Sequence, residues 1–120
     1  MRSSRQIAEK RGRKAEVLAA LFLRLKGCRI LEHRFRSKRG EIDLIARRRG
    51  VTAFVEVKAR KTVEEALYSL SFSQRCRIEG AAEDWMKKSG FDKGSLRFDI
   101  IAVAARGIPS HITDAWRVGE

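Results

Sequence analysis

A chain of 120 residues and 13.7 kDa with 43% apolar residues is long enough to bury a core as one domain over residues 1–120. One Pro, nine Gly and no low-complexity tract exclude disordered and collagen-like chains, and no apolar run reaches the roughly 18 residues of a membrane span. Twenty-seven Lys and Arg against fifteen Asp and Glu give a net charge of +12. The whole excess lies in residues 1–60, with eighteen basic and six acidic side chains; residues 61–120 hold nine of each. Such asymmetry points to a polyanion, nucleic acid or an anionic membrane surface, with nucleic acid ahead of a merely soluble basic surface.

Cys28 and Cys76 stand 48 residues apart and His33 and His111 are scattered, which argues against a zinc site. The apolar stretch 17–23 is short, follows Glu16 and lacks a small-residue cleavage site, so it reads as helix core and not as a secretion signal. Reduced thiols and a cytoplasmic, DNA-associated (nucleoid) location are the expectation.

Residues 1–6 read as a loose basic terminus. A helix is expected from about Gln6 to Lys26, with Leu18, Leu21, Phe22 and Leu25 at helical spacing and Gly27 at its C-terminal cap. Glu16 is in line with Ala19, Ala20 and Leu23, at the edge of a small-residue face suited to close packing on a sheet. Residues 28–35 read as a strand. Residues 41–47 and 51–58 read as a hairpin closed by Arg48, Arg49 and Gly50. Thr62 with Glu65 and Ser71 with Gln74 have the spacing that starts a short helix at 63–69 and then a longer one, which Lys87, Lys88 and Gly90 end. Residues 96–104 read as a strand buried on both faces and 111–117 as an edge strand. The order α-β-β-β-α-β-β, with the short helix before the long one, predicts one mixed α/β domain.

Among the six acids of the basic half, Glu41, Asp43 and Glu56 fall where structure alone does not ask for them. Glu41 and Asp43 are i, i+2 on one strand, and Glu56 and Lys58 are i, i+2 on the next. If hairpin partners sum to 99, Asp43 faces Glu56 and Glu41 faces Lys58. Carboxylates that close repel unless a proton or cation lies between them, and hard divalent ions take such oxygen ligands. A metal could bridge them to a phosphate, with Lys58 beside it to hold or activate a water. The plainer alternative is a salt-bridged sheet face, and spacing alone does not decide between the two.

The run from Gly40 to Ala46 (GEIDLIA), followed by Phe54 to Arg60 (FVEVKAR), resembles the YraN family of small bacterial proteins. The likeness extends to Gly12, Ala15, Glu16, Ala19 and Gly27 and to the run 97–103 (RFDIIAV), covering residues 10–115. That family is similar to PD-(D/E)xK nucleases, especially archaeal Holliday junction resolvases. The resemblance implies a restriction-endonuclease-like core: a mixed central β-sheet flanked by helices. It also implies that Glu16, Asp43 and Glu56 are catalytic carboxylates binding Mg²⁺ or Mn²⁺, with the Val57 carbonyl as a further ligand and Lys58 orienting the attacking water. Glu41 is a second-sphere group or an extra ligand. Ile42 replaces the Pro of the superfamily dipeptide, and Gln74 stands where many relatives carry Lys.

The expected function is a metal-dependent endonuclease hydrolysing phosphodiester bonds in DNA, branched or otherwise structured DNA included. The alternative is a non-catalytic nucleic-acid-binding protein, for DNA or RNA, with the same basic surface. Candidate phosphate contacts are Arg34, Arg36, Lys38, Arg39, Arg48, Arg49, Arg60 and Lys61. Resolvase-like enzymes cut two strands, which a homodimer would serve.

Overall fold

A computed structural model describes residues 3–90 and 94–119. Helix α1 spans Ser4–Leu25 and is followed by strands β1 (Arg29–Arg36), β2 (Glu41–Arg48) and β3 (Val51–Lys58). Helices α2 (Val63–Tyr68) and α3 (Phe72–Ser89) then lead to strands β4 (Ser95–Ala102) and β5 (Ser110–Trp116). The five strands form one sheet in the order β1-β2-β3-β4-β5. All neighbours are antiparallel except β3 and β4, which are parallel and joined by the two helices. This is the mixed sheet with flanking helices that the resemblance implied.

The helix starts follow from side-chain caps. Ser71 accepts from the Gln74 N–H while Gln74 reaches back to the Ser71 N–H, and Thr62 accepts from the Glu65 N–H. Ser3 and Gln6 form the same reciprocal box, so the first helix begins at Ser4. Residues 4–6 therefore lie within it and not in the loose terminus expected for 1–6; residues 1 and 2 lie outside the described residues. Gly90 ends α3 with φ of 67°.

The sheet separates two apolar layers. Ala15, Ala19, Ala20 and Leu23 of α1 pack with Leu44, Val55, Ile101 and Val103. Ile78, Ala81, Ala82 and Trp85 of α3 pack with Ile42, Ile45, Phe54, Phe98 and Ile100 on the opposite face. The small face of α1 is the buried one, and Leu18, Leu21 and Leu25 are exposed.

Candidate active site

The hairpin has the expected register, with pairs from Leu44↔Val55 to Arg48↔Val51, and its turn places Arg49 at φ 50° and Gly50 at φ 79°. Two consecutive positive φ values suit the right-handed twist of a two-residue hairpin. The ladder stops at Leu44. Beyond it the Val57 N–H donates to Asp43 Oδ2 at 2.8 Å. Ile42 packs beneath α3 whereas Leu44 packs beneath α1, so the strand's alternation slips at Asp43. The facing position on β1 slips too. His33 pairs with Leu44 and Phe35 with Ile42, and Arg34 between them has φ of 51°. Two irregularities thus oppose each other on neighbouring strands at the candidate acid.

The Asp43 carboxylate lies close enough to Glu56 to act on its titration. Burial pushes the Glu56 carboxyl far above the usual carboxylate range, and the hydrogen bond and charge of Asp43 push it further; Lys58 opposes the shift. Lys58 Nζ stands 3.9 Å from Glu56 Oε2, and both side chains are largely buried, at 20% and 14% exposure. Asp43, Glu56 and Lys58 therefore come together. Glu16 contributes to the field at Glu56, but its carboxylate is held elsewhere. Arg34 Nε donates to Glu16 Oε1 at 2.8 Å and Arg34 Nη2 to Glu16 Oε2 at 3.1 Å. The Arg34 pKa is raised first by the hydrogen bond to Glu16 and then by its charge, with smaller effects from Glu41 and Asp43.

The expected pairing of Glu41 with Lys58 does not form, because the hairpin ladder ends at Leu44. Glu41 pairs instead with Arg36 on β1, Oε2 to Nε at 3.3 Å. It keeps the salt-bridge role of a surface strand.

Glu56 opens into a pocket of about 360 Å³ that Glu41, Arg36, Gly40 and, from α3, Gln74, Arg77 and Ile78 also line. Gln74 borders the pocket while its Oε1 accepts from the Ser71 N–H. Arg77 is a pocket residue that the sequence reading misses, although its i, i+3 spacing from Gln74 is an available signal.

The donor set suits a hard cation. Two oxygen-bearing side chains lie together, and burial first, then the hydrogen bond and charge of Asp43, raise the Glu56 pKa, a strain that a divalent ion between them would relieve. Among the described residues, no three Asp, Glu, His or Cys side chains converge on one point. The third carboxylate of the set, Glu16, is the one Arg34 holds.

The eight basic candidates divide by place. Arg34, Arg36 and Arg39 are ion-paired, Arg39 with both Glu83 and Asp84. Lys38 is exposed in the β1–β2 turn. Arg48 and Arg49 sit at the hairpin turn, five or six residues from Asp43 along the strand, or roughly 15–20 Å. Arg60 and Lys61 follow directly on Lys58 and line a cleft of about 810 Å³ with Lys10, Arg11 and Lys14 of α1.

The chain matches the model of the family described as "Uncharacterised protein family UPF0102" over residues 15–103. It is 48% identical to a UPF0102 protein of Chelativorans sp. (strain BNC1), over 96% of this chain and 94% of that protein. It is 46% identical to one of Agrobacterium fabrum, over 95% and 94%. A UPF0102 protein of Paramagnetospirillum magneticum is 48% identical, over 94% and 92%. The matched span holds Glu16, Asp43, Glu56 and Lys58 within one continuous alignment to the family, and the chain belongs to UPF0102.

Proposed function

We propose that the protein is a metal-dependent endonuclease acting on DNA, branched or structured DNA in particular. The observation that carries this reading is the slip of β2 at Asp43, which brings Asp43 against Glu56 with Lys58 beside them at the edge of a basic surface. A polyanion binder has no electrostatic reason to gather carboxylates there unless a cation joins them to phosphate.

Asp43 and Glu56 would hold Mg²⁺ or Mn²⁺, with Glu16 and the Val57 carbonyl as further ligands. Support for Val57 is that its N–H already donates to Asp43. The ion would supply polarisation of the phosphoryl oxygens and a lowered pKa for water. Lys58 is buried enough for its ammonium to keep a fixed position. It donates hydrogen bonds to the attacking water and to the negative charge that grows on the phosphoryl oxygens. Water adds to phosphorus, the phosphodiester P–O bond breaks, and the water's proton ends on solvent or the departing oxygen. Arg36 and Arg77, bordering the Glu56 pocket, supply positive charge for the phosphate at the reacting position.

A second reading, a non-catalytic nucleic-acid-binding protein for DNA or RNA, draws on one observation: the bidentate Arg34–Glu16 pair occupies a carboxylate that the chemistry would use. Single-turnover cleavage of a four-way junction and of plasmid DNA with Mg²⁺ or Mn²⁺ separates the readings. Wild type cuts, and Asp43→Asn, Glu56→Gln and Lys58→Ala each cut on the order of 10²-fold more slowly or worse. Lys58→Arg does not restore the rate, because a planar guanidinium replaces a compact ammonium. Junction binding without cutting by wild type would establish the second reading.

A further inference from the structure

The cleft between α1 and the ends of the parallel strands has a composition unlike the rest of the surface. One wall is the exposed side of α1, with Lys10, Arg11 and Lys14 spaced along the helix. The other is the segment after β3, with Arg60 and Lys61. Ala15, Leu18, Ala59, Val103, Ala104 and Ala105 form a mostly small-residue floor, and Glu65 is the one acid lining it among the described residues. Lys10, Arg11, Lys14 and Lys61 have no carboxylate partner among the described residues; Arg60 Nη1 donates to the Ala59 carbonyl at 3.1 Å.

Like charges gathered on two facing walls repel each other, and leaving them unpaired is unfavourable without an anion between them. Three exposed arginines elsewhere do find acids: Arg36 has Glu41, Arg39 has Glu83 and Asp84, and Arg117 has Asp114. Among the described residues the floor has no aromatic side chain, so these residues offer no platform for stacking bases. It offers small side chains that let a chain of phosphates approach between two basic rims.

The position matters as much as the charge. Ala59 to Lys61 continue directly from Glu56 and Lys58, so the cleft opens where the candidate catalytic strand ends. Arg48 and Arg49 lie at the other end of the same strands. α1 spans both ends: Lys14 and Ala15 line the cleft, while Leu23 lines a cavity with Arg48 and Arg49.

We infer that this α1–β3–β4 cleft is the main track for the sugar–phosphate backbone of bound nucleic acid, with Lys10, Arg11, Lys14, Arg60 and Lys61 as its phosphate contacts. The inference rests on the proposed substrate class but not on catalysis. It places the strand flanking the reacting phosphate along α1 and away from the hairpin turn.

Two charge-matched double variants test it. Lys10→Glu with Lys14→Glu, and Arg48→Glu with Arg49→Glu, change the net charge equally. Affinity for a fluorescent DNA four-way junction is measured without divalent metal across a salt series, and circular dichroism and melting confirm that each variant folds. The cleft variant should bind at least ten-fold more weakly. Its log–log salt slope should be shallower by about 0.9 for each phosphate that is no longer neutralised, hence by about 2. The hairpin variant should keep the wild-type slope. Equal losses in both variants would mean diffuse attraction and overturn the track, as would a larger loss in the hairpin variant. Tight binding of polyglutamate by wild type together with no binding of DNA would also overturn it, in favour of an acidic protein partner. Cleft-dependent binding with no cleavage by wild type would remove the nuclease reading and leave the track standing.

Discussion

Two arginine–carboxylate contacts show how differently one pair of residue types is used here. Arg34 meets Glu16 at the half-exposed edge of the sheet from a left-handed backbone, at φ of 51°. That conformation is unfavourable by about 1–2 kcal/mol for a residue with a Cβ. Asp99 is fully buried on the α1 side of β4, where an ionised carboxylate survives only with several donors. It has them: Arg97 Nε at 2.9 and 3.1 Å, the Asp114 N–H at 2.9 Å and His111 Nε2 at 2.9 Å. Lys26 Nζ lies 3.0 Å from the other ring nitrogen of His111. An ammonium can only donate and a carboxylate can only accept, so this order calls for the Nε2–H tautomer. Burial alone would raise the Asp99 pKa, but the hydrogen bonds from His111, Asp114 and Arg97 outweigh it and hold it below its ordinary value. A depressed carboxylate pKa adds stability that is present above the unfolded value near 3.9 and lost as pH falls through the folded value. Asp99→Ala leaves an Arg, a His and a main-chain N–H without their acceptor. It should lower the unfolding free energy by about 3 kcal/mol at neutral pH. The difference from wild type should shrink below pH 4 in urea titrations, and a difference independent of pH would show that shape, and not charge, is what Asp99 supplies.

Elements meet the candidate site through close backbone approach. A Cβ on Gly40 would collide with the main-chain carbonyl of Arg77 and come within 3.0 Å of the Arg77 Cβ. The β1–β2 turn therefore sits directly on α3, and this contact sets the mouth of the Glu56 pocket, which Gly40 and Arg77 both line. Gly40→Ala should push α3 outward and destabilise the fold by about 1–3 kcal/mol, read as a lower denaturation midpoint with unchanged m. Wild-type stability in that variant would mean that the helix yields without strain. The same scale shows what sequence can carry. The 99-sum register, the capping serines and the buried Ala face of α1 are local or periodic features, and they are legible. The break in alternation at Asp43 is not. It depends on β1 slipping at Arg34, a long-range event with no periodic trace, and it is why Glu41 leaves the site that its i, i+2 spacing with Asp43 suggests. The Arg34–Glu16 pair, eighteen residues apart on a helix and a strand, is hidden for the same reason. The α1 wall of the basic cleft is hidden as well, because Lys10, Arg11 and Lys14 belong to it only once α1 lies over the ends of β3 and β4.

At the scale of the whole molecule, a net charge of +12 makes the response to cations diagnostic. A protein this basic repels divalent ions generally, so weak nonspecific binding of Mn²⁺ should be slight and further screened by salt. The proposed exception is the point where Asp43 and Glu56 lie together, because a cation there would relieve a like-charge contact. A ligand that binds only the folded state stabilises it in proportion to the logarithm of its concentration, by about 2.7 kcal/mol at one hundred times its dissociation constant. For a chain of this length that corresponds to a melting-temperature rise of roughly 10 °C. Millimolar Mn²⁺ should therefore raise the melting temperature well beyond NaCl of equal ionic strength. Asp43→Asn should abolish most of the rise while keeping the fold, since an amide oxygen can still accept the Val57 N–H. Lys58→Ala should preserve or enlarge the rise, because it removes a positive charge that stands 3.9 Å from one of the proposed ligands. If Mn²⁺ and NaCl act alike on wild type, the carboxylate pair does not hold a metal, and the metal-dependent reading of the site falls.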